Sequence, residues 1–309
     1  MKLLVIGSLN MDLVAYTDRL PEAGESVLGK DFQTFPGGKG ANQAVAAARL
    51  GAEVSMLGCV GNDAFGTSLI QNLADNGVKT EHILRESETP TGTAVITVDA
   101  QGQNTLVVIP GSNYRLLPAD IEAQRQLIEE ADILLLQLEI PLTSVQRAVE
   151  IAGDAGTSVI LNPAPACDLP DRILQLVDVF IPNETEAKWF SGGPLEHPDD
   201  LSAAAARLRE RGVKRVLITR GKNGAFYQND SGEWTIPAFT VTAVDATAAG
   251  DAFIGAYAAS LAQGFSLQEA LRWSTAAGAL AVSRKGAQSS LPSKEELLQF
   301  LKKKPSFDM

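Results

Sequence analysis

Asp245-Ala246-Thr247-Ala248-Ala249-Gly250-Asp251-Ala252-Phe253 runs small residues into one carboxylate, and an apolar, Ala-rich run then continues to Leu261. A run of that composition reads as a buried helix. The start of a helix carries unpaired N–H donors and a partial positive charge, so it attracts anions such as phosphate. An aspartate beside such a hole can take a proton from an alcohol that attacks the phosphate. An ordinary first-turn helix carboxylate satisfies the same local pattern, so the rest of the chain has to decide.

On both sides of this stretch, short apolar runs alternate with helical patterns. The strand candidates are Lys2–Gly7, Val54–Val60, Ile133–Leu138, Ser158–Leu161, Val179–Ile181 and Arg215–Thr219. The helix candidates are Ala41–Leu50, Phe65–Asn76, Leu142–Ala155, Pro170–Val177, Asp199–Arg211, Asp251–Gln263, Leu267–Arg284 and Lys294–Lys302. This alternation predicts an α/β fold, a three-layer sandwich with a mainly parallel central sheet covered by helices on both faces. Val14–Phe35 and Thr91–Ile109 break the pattern. They are rich in Thr, Val and Gly and hint at period-two alternation, so they read as extra strands of a small β-sheet lid, inserted at about 12–36 and 91–112. There is no internal repeat or low-complexity linker, so 1–309 reads as one domain. The basic tail Lys302-Lys303-Lys304-Pro305 reads as a solvated helix end.

Composition narrows the function classes. With 45% hydrophobic and 20% charged residues, the chain has the make-up of a soluble globular enzyme. A net charge of −11 argues against a nucleic-acid footprint. Cys59 and Cys167 have no paired spacing, which fits a reducing compartment and excludes a zinc cluster on cysteine pairs. His82 and His197 alone cannot build a histidine-rich metal site. The opening apolar run is too short for a signal peptide, and no segment is apolar enough to span a membrane, so the expected location is cytoplasmic.

Polar or Gly-rich residues follow several of the strand candidates: Asn10 and Asp12, Glu139, Asn162-Pro163, Asn183-Glu184-Thr185-Glu186, and Arg220-Gly221-Lys222-Asn223-Gly224. In a parallel sheet all of these lie along the carboxyl edge, where ligands bind. Taken singly, each is also an ordinary polar loop or helix cap. Gly37-Gly38-Lys39-Gly40-Ala41-Asn42-Gln43 allows close backbone approach before a helix, and Asn42 can pair with hydroxyl groups. Its spacing fits neither a P-loop nor a dinucleotide fingerprint, and a plain tight turn explains it equally well. Asn10 and Asp12 suit vicinal sugar hydroxyls, or form a polar turn. Asn183 and Glu186 can hold magnesium through its waters, or cap a helix. Thr219 to Gly224 can meet nucleotide phosphates, or turn a hairpin into Ala225-Phe226-Tyr227-Gln228.

Gly37-Gly38-Lys39-Gly40-Ala41-Asn42-Gln43-Ala44 and Ala248-Ala249-Gly250-Asp251 resemble the two signatures of the ribokinase-like (PfkB) carbohydrate kinases. Gly7-Ser8-Leu9-Asn10-Met11-Asp12, Asn162-Pro163-Ala164-Pro165, Pro182-Asn183-Glu184-Thr185-Glu186 and Arg284-Lys285-Gly286-Ala287-Gln288 extend the resemblance, in order, over nearly the whole chain. It implies ATP-dependent phosphorylation of D-ribose at O5, or of a related acceptor such as 2-deoxyribose, fructose or a nucleoside. A non-catalytic sugar or nucleotide sensor on the same fold is the more distant alternative. Position by position, the resemblance implies Asp251 as general base and Ala248, Ala249 and Gly250 as the anion hole. Asn10, Asp12, Gly38, Lys39, Asn42 and Glu139 would line the sugar pocket. Asn183 and Glu186 would organise magnesium and the triphosphate, with Thr219, Gly221 and Gly224 near the nucleotide. Asp245, Thr247, Ala281, Gly286 and Ser290 would bind potassium. The lid would close the sugar site and pair two copies into a homodimer. Many family members carry Gly where this chain has Ala248; the anion hole then requires backbone angles that suit a residue with a Cβ.

Overall fold

The computed structural model describes residues 1–195 and 197–304, so the Pro305 end of the basic tail lies outside the described residues. In chain order the strands are β1 (Lys2–Ile6), β2 (Asn10–Thr17), β3 (Gly29–Gly37), β4 (Glu53–Gly61), β5 (Lys79–Glu86), β6 (Gly92–Val98), β7 (Asn104–Ile109), β8 (Ile133–Leu136), β9 (Ser158–Leu161), β10 (Val179–Phe180), β11 (Arg215–Thr219), β12 (Ala225–Asn229) and β13 (Gly232–Ile236). The helices are α1 (Lys39–Arg49), α2 (Ala64–Asp75), α3 (Pro118–Ala123), α4 (Arg125–Glu129), α5 (Leu142–Ala155), α6 (Asp171–Leu174), α7 (Glu184–Ser191), α8 (Pro198–Glu210), α9 (Ala249–Ala262), α10 (Leu267–Val282) and α11 (Lys294–Lys302).

The larger sheet has the order β13-β12-β11-β10-β9-β8-β1-β4-β5. It is parallel from β5 through β11, and only the β11–β12–β13 edge is antiparallel. Alternate residues of one strand enter opposite cores. Leu3 and Val5 pack with α1, α9 and α10, whereas Leu4 and Ile6 pack with α5, α6 and α8. Burial on both faces is why these strands read as unbroken apolar runs, and it gives the three layers. β1 lies between β8 and β4, so the chain leaves β1 in one direction and returns on its other side. That reversal opens a crevice at the carboxyl ends of β1 and β8.

The second sheet has the order β3-β2-β6-β7. Its strands are inserted after β1 and after β5, so it stands over that crevice as the expected lid. Most core boundaries shift by a residue or two from the sequence reading, and two places differ more. Asn10 and Asp12 are the first and third residues of β2, not a turn after β1. α6 is only four residues long: Pro170 stands at its cap, and after Leu174 the turn tightens, with Leu176 N–H bonded to Ile173 O and Val177 N–H to Leu174 O.

Candidate active site

The two glycine-rich helix starts differ in what fills them. At α1, Gly38 stands at the cap with φ 89°, and a Cβ there would meet Asn10 N at 2.7 Å. The Ser8 carbonyl accepts Ala41 N–H at 2.9 Å, and Ser8 Oγ accepts Gly40 N–H at 3.3 Å. Glu139, from the loop after β8, accepts both Lys39 N–H at 3.1 Å and the Ser8 hydroxyl. A carboxylate thus occupies the positive end of α1.

At α9 the cap residue is Ala248, with φ 57° and ψ 8°, and no side chain closes the end. Ala249 N–H donates to Ala246 O at 3.2 Å, while a Cβ on Gly250 would meet nothing within 4 Å. The open end faces free space. Asp251 does not serve as an ordinary cap. It is 8% exposed, and its oxygens accept from another helix: Asn42 Nδ2 reaches Oδ2 at 2.9 Å, and Gln43 Nε2 reaches Oδ1 at 2.9 Å.

A side-chain relay fixes the polarity of the second bond. Asn162 Nδ2 donates to the Ile181 carbonyl at 3.0 Å, so its Oδ1 must accept, which it does from Gln43 Nε2 at 3.0 Å. Gln43 Oε1 accepts from Gln137 Nε2 at 2.7 Å. Gln43 therefore presents its N–H₂ to Asp251. α1 reaches α9 because Gly255 lets them touch; a Cβ there would lie 2.6 Å from Ala46 Cβ and 2.7 Å from Gln43 O. Asn42 Oδ1 is buried with no partner, an acceptor left for a hydroxyl.

Asp12 and Lys39 join the same cluster. Burial, together with the charges of Glu139 and Asp251, pushes the Asp12 carboxyl up to about 7. Burial works against the Lys39 ammonium, but Asp251, Glu139 and Glu186 outweigh it and hold its pKa above the usual lysine value. One lysine thus balances several carboxylates.

Asn183 and Glu186 form a capping box at α7: Glu186 N–H donates to Asn183 Oδ1 at 2.8 Å and Asn183 N–H to Glu186 Oε2 at 2.9 Å. Burial raises the Glu186 carboxyl, against the Asn183 hydrogen bonds and the charge of Lys39. Oxygen donors of this kind suit a hard divalent cation. Thr219 bridges Asn183, and Gly221 and Gly224 lie in the turn from β11 into the antiparallel β12. Arg220 in that turn faces Glu184, with Nε 3.5 Å from Oε1.

Asp245 gathers the last group. Its Oδ1 accepts from Thr247 N–H at 2.9 Å and the Thr247 hydroxyl at 2.6 Å, and its Oδ2 accepts from Gly286 N–H at 2.9 Å. Burial works to raise this carboxyl, but those bonds and the Lys285 charge hold it below the usual range. Asp245 N–H donates to Val282 O at 3.2 Å, which sets it against the end of α10 beside Ala281. Ser290 Oγ instead donates to the Ala287 carbonyl at 2.7 Å. Carboxylate, hydroxyl and carbonyl oxygens here fit a hard cation.

The chain matches the pfkB family carbohydrate kinase across residues 1–294. It belongs to the pfkB family of carbohydrate kinases. It is 42% identical to a ribokinase of Haemophilus influenzae over 301 residues, covering 97% of this chain and 98% of that one. It is 39% identical to a deoxyribokinase of Salmonella typhi over 302 residues, covering 97% and 99%. The structure superimposes on an Arabidopsis thaliana ribokinase complexed with ribose and ATP, with a TM-score of 0.91 and 34% identity over 97% of this chain and 98% of that one. The two segments that resemble pfkB signatures lie at the starts of α1 and α9. Ser8, Gln43, Gln137 and Asn162 lie within motifs or strand candidates named from the sequence but carry no role there, and Asn113 lies in none of them. Asn162 had a usable signal, since it follows β9 at the ligand-binding edge.

Proposed function

We propose that this chain is an ATP-dependent D-ribose kinase that forms ribose 5-phosphate. The observation that carries the reading is Asp251, aimed by Asn42 and Gln43, beside the open end of α9. The ribose O5 hydroxyl gives its proton to the Asp251 carboxylate as O5 bonds to the γ-phosphorus. The bond from that phosphorus to the β-phosphate oxygen breaks, and ADP leaves. N–H groups at Ala248, Gly250 and Ala249, the last shared with the Ala246 carbonyl, form the anion hole and draw in the charge of the moving phosphoryl group. Asn10, Asp12, Gly38, Lys39, Asn42 and Glu139 hold the sugar, and the lid excludes water. Thr219, Gly221 and Gly224 take the nucleotide, whose triphosphate lies toward Asn183 and Glu186. When bound there, magnesium supplies charge neutralisation of the triphosphate. Asp245, Thr247, Ala281 and Gly286, with Ser290 nearby, hold potassium and keep the 245–250 turn in shape.

An ADP-release assay with MgATP and potassium across D-ribose, 2-deoxyribose, D-fructose and adenosine tests this. Strong turnover on ribose supports the assignment. The deoxyribokinase relative makes 2-deoxyribose the critical comparison, and preference for it moves the acceptor while keeping the chemistry. Equal rates in potassium and in a large organic cation count against the potassium role.

Two copies pair through the lid in this reading. Val107 and Ile109 on β7, Val95 on β6 and Phe32 on β3 are each more than 40% exposed and share one face of the lid sheet, a patch a second lid covers. Light scattering that finds only monomer, unchanged by Val107→Asp, refutes the pairing.

A further inference from the structure

Asn113 lies just beyond the last lid strand, yet its side chain is buried against the start of the first. Its Oδ1 accepts Leu9 N–H at 2.8 Å, and its Nδ2 donates to the Leu9 carbonyl at 3.1 Å and to Asn10 Oδ1 at 2.7 Å. The two backbone contacts leave no choice of orientation. An N–H can only donate, so the Asn113 atom facing it is the oxygen, and the other is the amino group. An amino group can only donate, so the Asn10 atom facing it is the oxygen. Asn10, 4% exposed, is left with Nδ2 as its remaining polar atom.

The second entry to the lid closes on the same bond. A Cβ on Gly92, the first residue of β6, would lie 2.2 Å from Asn113 Nδ2 and 2.3 Å from Asn10 Oδ1. Asn10 also pairs with Gly37 of β3 and with Gly92. The passages into and out of the lid therefore meet where the amide of Asn10 is oriented.

We infer that Asn113 is a positioning residue for the acceptor sugar: it locks the Asn10 amide so that its N–H₂, never its carbonyl, is offered to a sugar oxygen. This rests on the assignment of Asn10 to the sugar pocket. Asn113 touches no reacting atom and acts through Asn10. A carboxylate at 113 has nothing to donate, so it turns the Asn10 amide around and offers the sugar an acceptor. An alanine at 113 leaves that amide free to rotate and still able to donate.

The test is steady-state kinetics of the full chain with D-ribose and MgATP for wild type, Asn113→Ala and Asn113→Asp, each also in an Asn10→Ala background, with melting temperatures. The expected order of ribose KM is wild type, then Asn113→Ala, then Asn113→Asp, with about a tenfold rise for the last, as for a lost hydrogen bond. KM for ATP stays unchanged, and in Asn10→Ala the Asn113 substitutions add little. A packing role alone gives the reverse order, because aspartate is the closer match in shape, and that result overturns the inference. Penalties that persist in Asn10→Ala overturn it as well. If Asn113→Asp fails to fold, Asn113→Ala carries the test through the split between the two KM values and the Asn10→Ala background. A wild type that neither binds nor phosphorylates ribose, with the melting temperatures intact, overturns the ribose assignment and this inference with it; normal wild-type kinetics with a failed variant series overturns only the inference.

Discussion

Gln43 Nε2 donates to Asp251 Oδ1 at 2.9 Å across 208 residues of sequence, joining α1 to α9 at the proposed point of chemistry. Asn42 supports the second oxygen, so both lone-pair faces toward α1 are taken by donors. Asp251→Asn places an amino group against one of these donors and removes the base. The expected result is a folded protein whose kcat falls by about 100-fold or more. Circular dichroism establishes the fold and the ADP-release assay the rate; near-normal turnover removes Asp251 from the role of base.

Asp12 makes stability depend on pH. Its carboxyl titrates from an ordinary value of 3.8 to about 7 in the fold, where burial and the neighbouring Glu139 and Asp251 favour the neutral form. The folded state holds this proton longer than the unfolded chain. Its contribution is complete below about 3.8, declines as pH rises through that interval, and is gone above about 7. Asp12→Asn removes the penalty of burying the charge. The ligand-free variant should therefore melt higher than wild type at pH 8, with the gap narrowing toward pH 4. A gap that is constant with pH refutes the assignment, and the variant should also bind sugar more weakly.

The layers of the fold were legible because β1, β8, β9 and β11 are buried on both faces and so appear as plain apolar runs. β5 was not, because its sequence Lys79-Thr-Glu-His-Ile-Leu-Arg-Glu86 carries charges throughout, as an edge strand with one wet side can. α3 and α4 were missed because each is too short to show a helical period. Of the site, the two helix starts were visible as local motifs. The polarity relay through Asn162, Gln43 and Gln137, and the lock of Asn113 on Asn10, join residues about a hundred positions apart. No local pattern records such pairings; they exist only once the sheet edge and the lid have brought the chain together.

Gly255 sets the distance between α1 and α9, the two helices of the proposed site. A methyl group there overlaps Ala46 Cβ and the Gln43 carbonyl, and the packed interior cannot yield without moving α1. Gly255→Ala should cost about 1–3 kcal/mol of stability in urea unfolding, as overpacking does. It should also lower kcat, because the Asn42 and Gln43 contacts to Asp251 lengthen together. Loss of stability with unchanged kcat separates the packing from the positioning.

Ala248 is, among the described residues, the one non-glycine residue with positive φ, and it stands at the head of the proposed anion hole. A left-handed backbone costs an L-residue about 1–2 kcal/mol, because Cβ crowds the carbonyl. The sequence reading required angles that suit a residue with a Cβ, and φ 57° with ψ 8° lies in the small left-handed region where alanine is tolerated but strained. Ala248→Gly relieves that strain, and the greater freedom of glycine in the unfolded chain takes back about 0.5–1 kcal/mol. The expected net effect is a gain of between zero and about 1.5 kcal/mol in stability. The variant keeps the N–H that alanine offers, so kcat should change less than twofold if backbone geometry alone builds the hole. A rise in stability joined to a tenfold fall in kcat has a different meaning: the alanine methyl group then holds the turn in its active shape, and the strain is part of the catalytic arrangement.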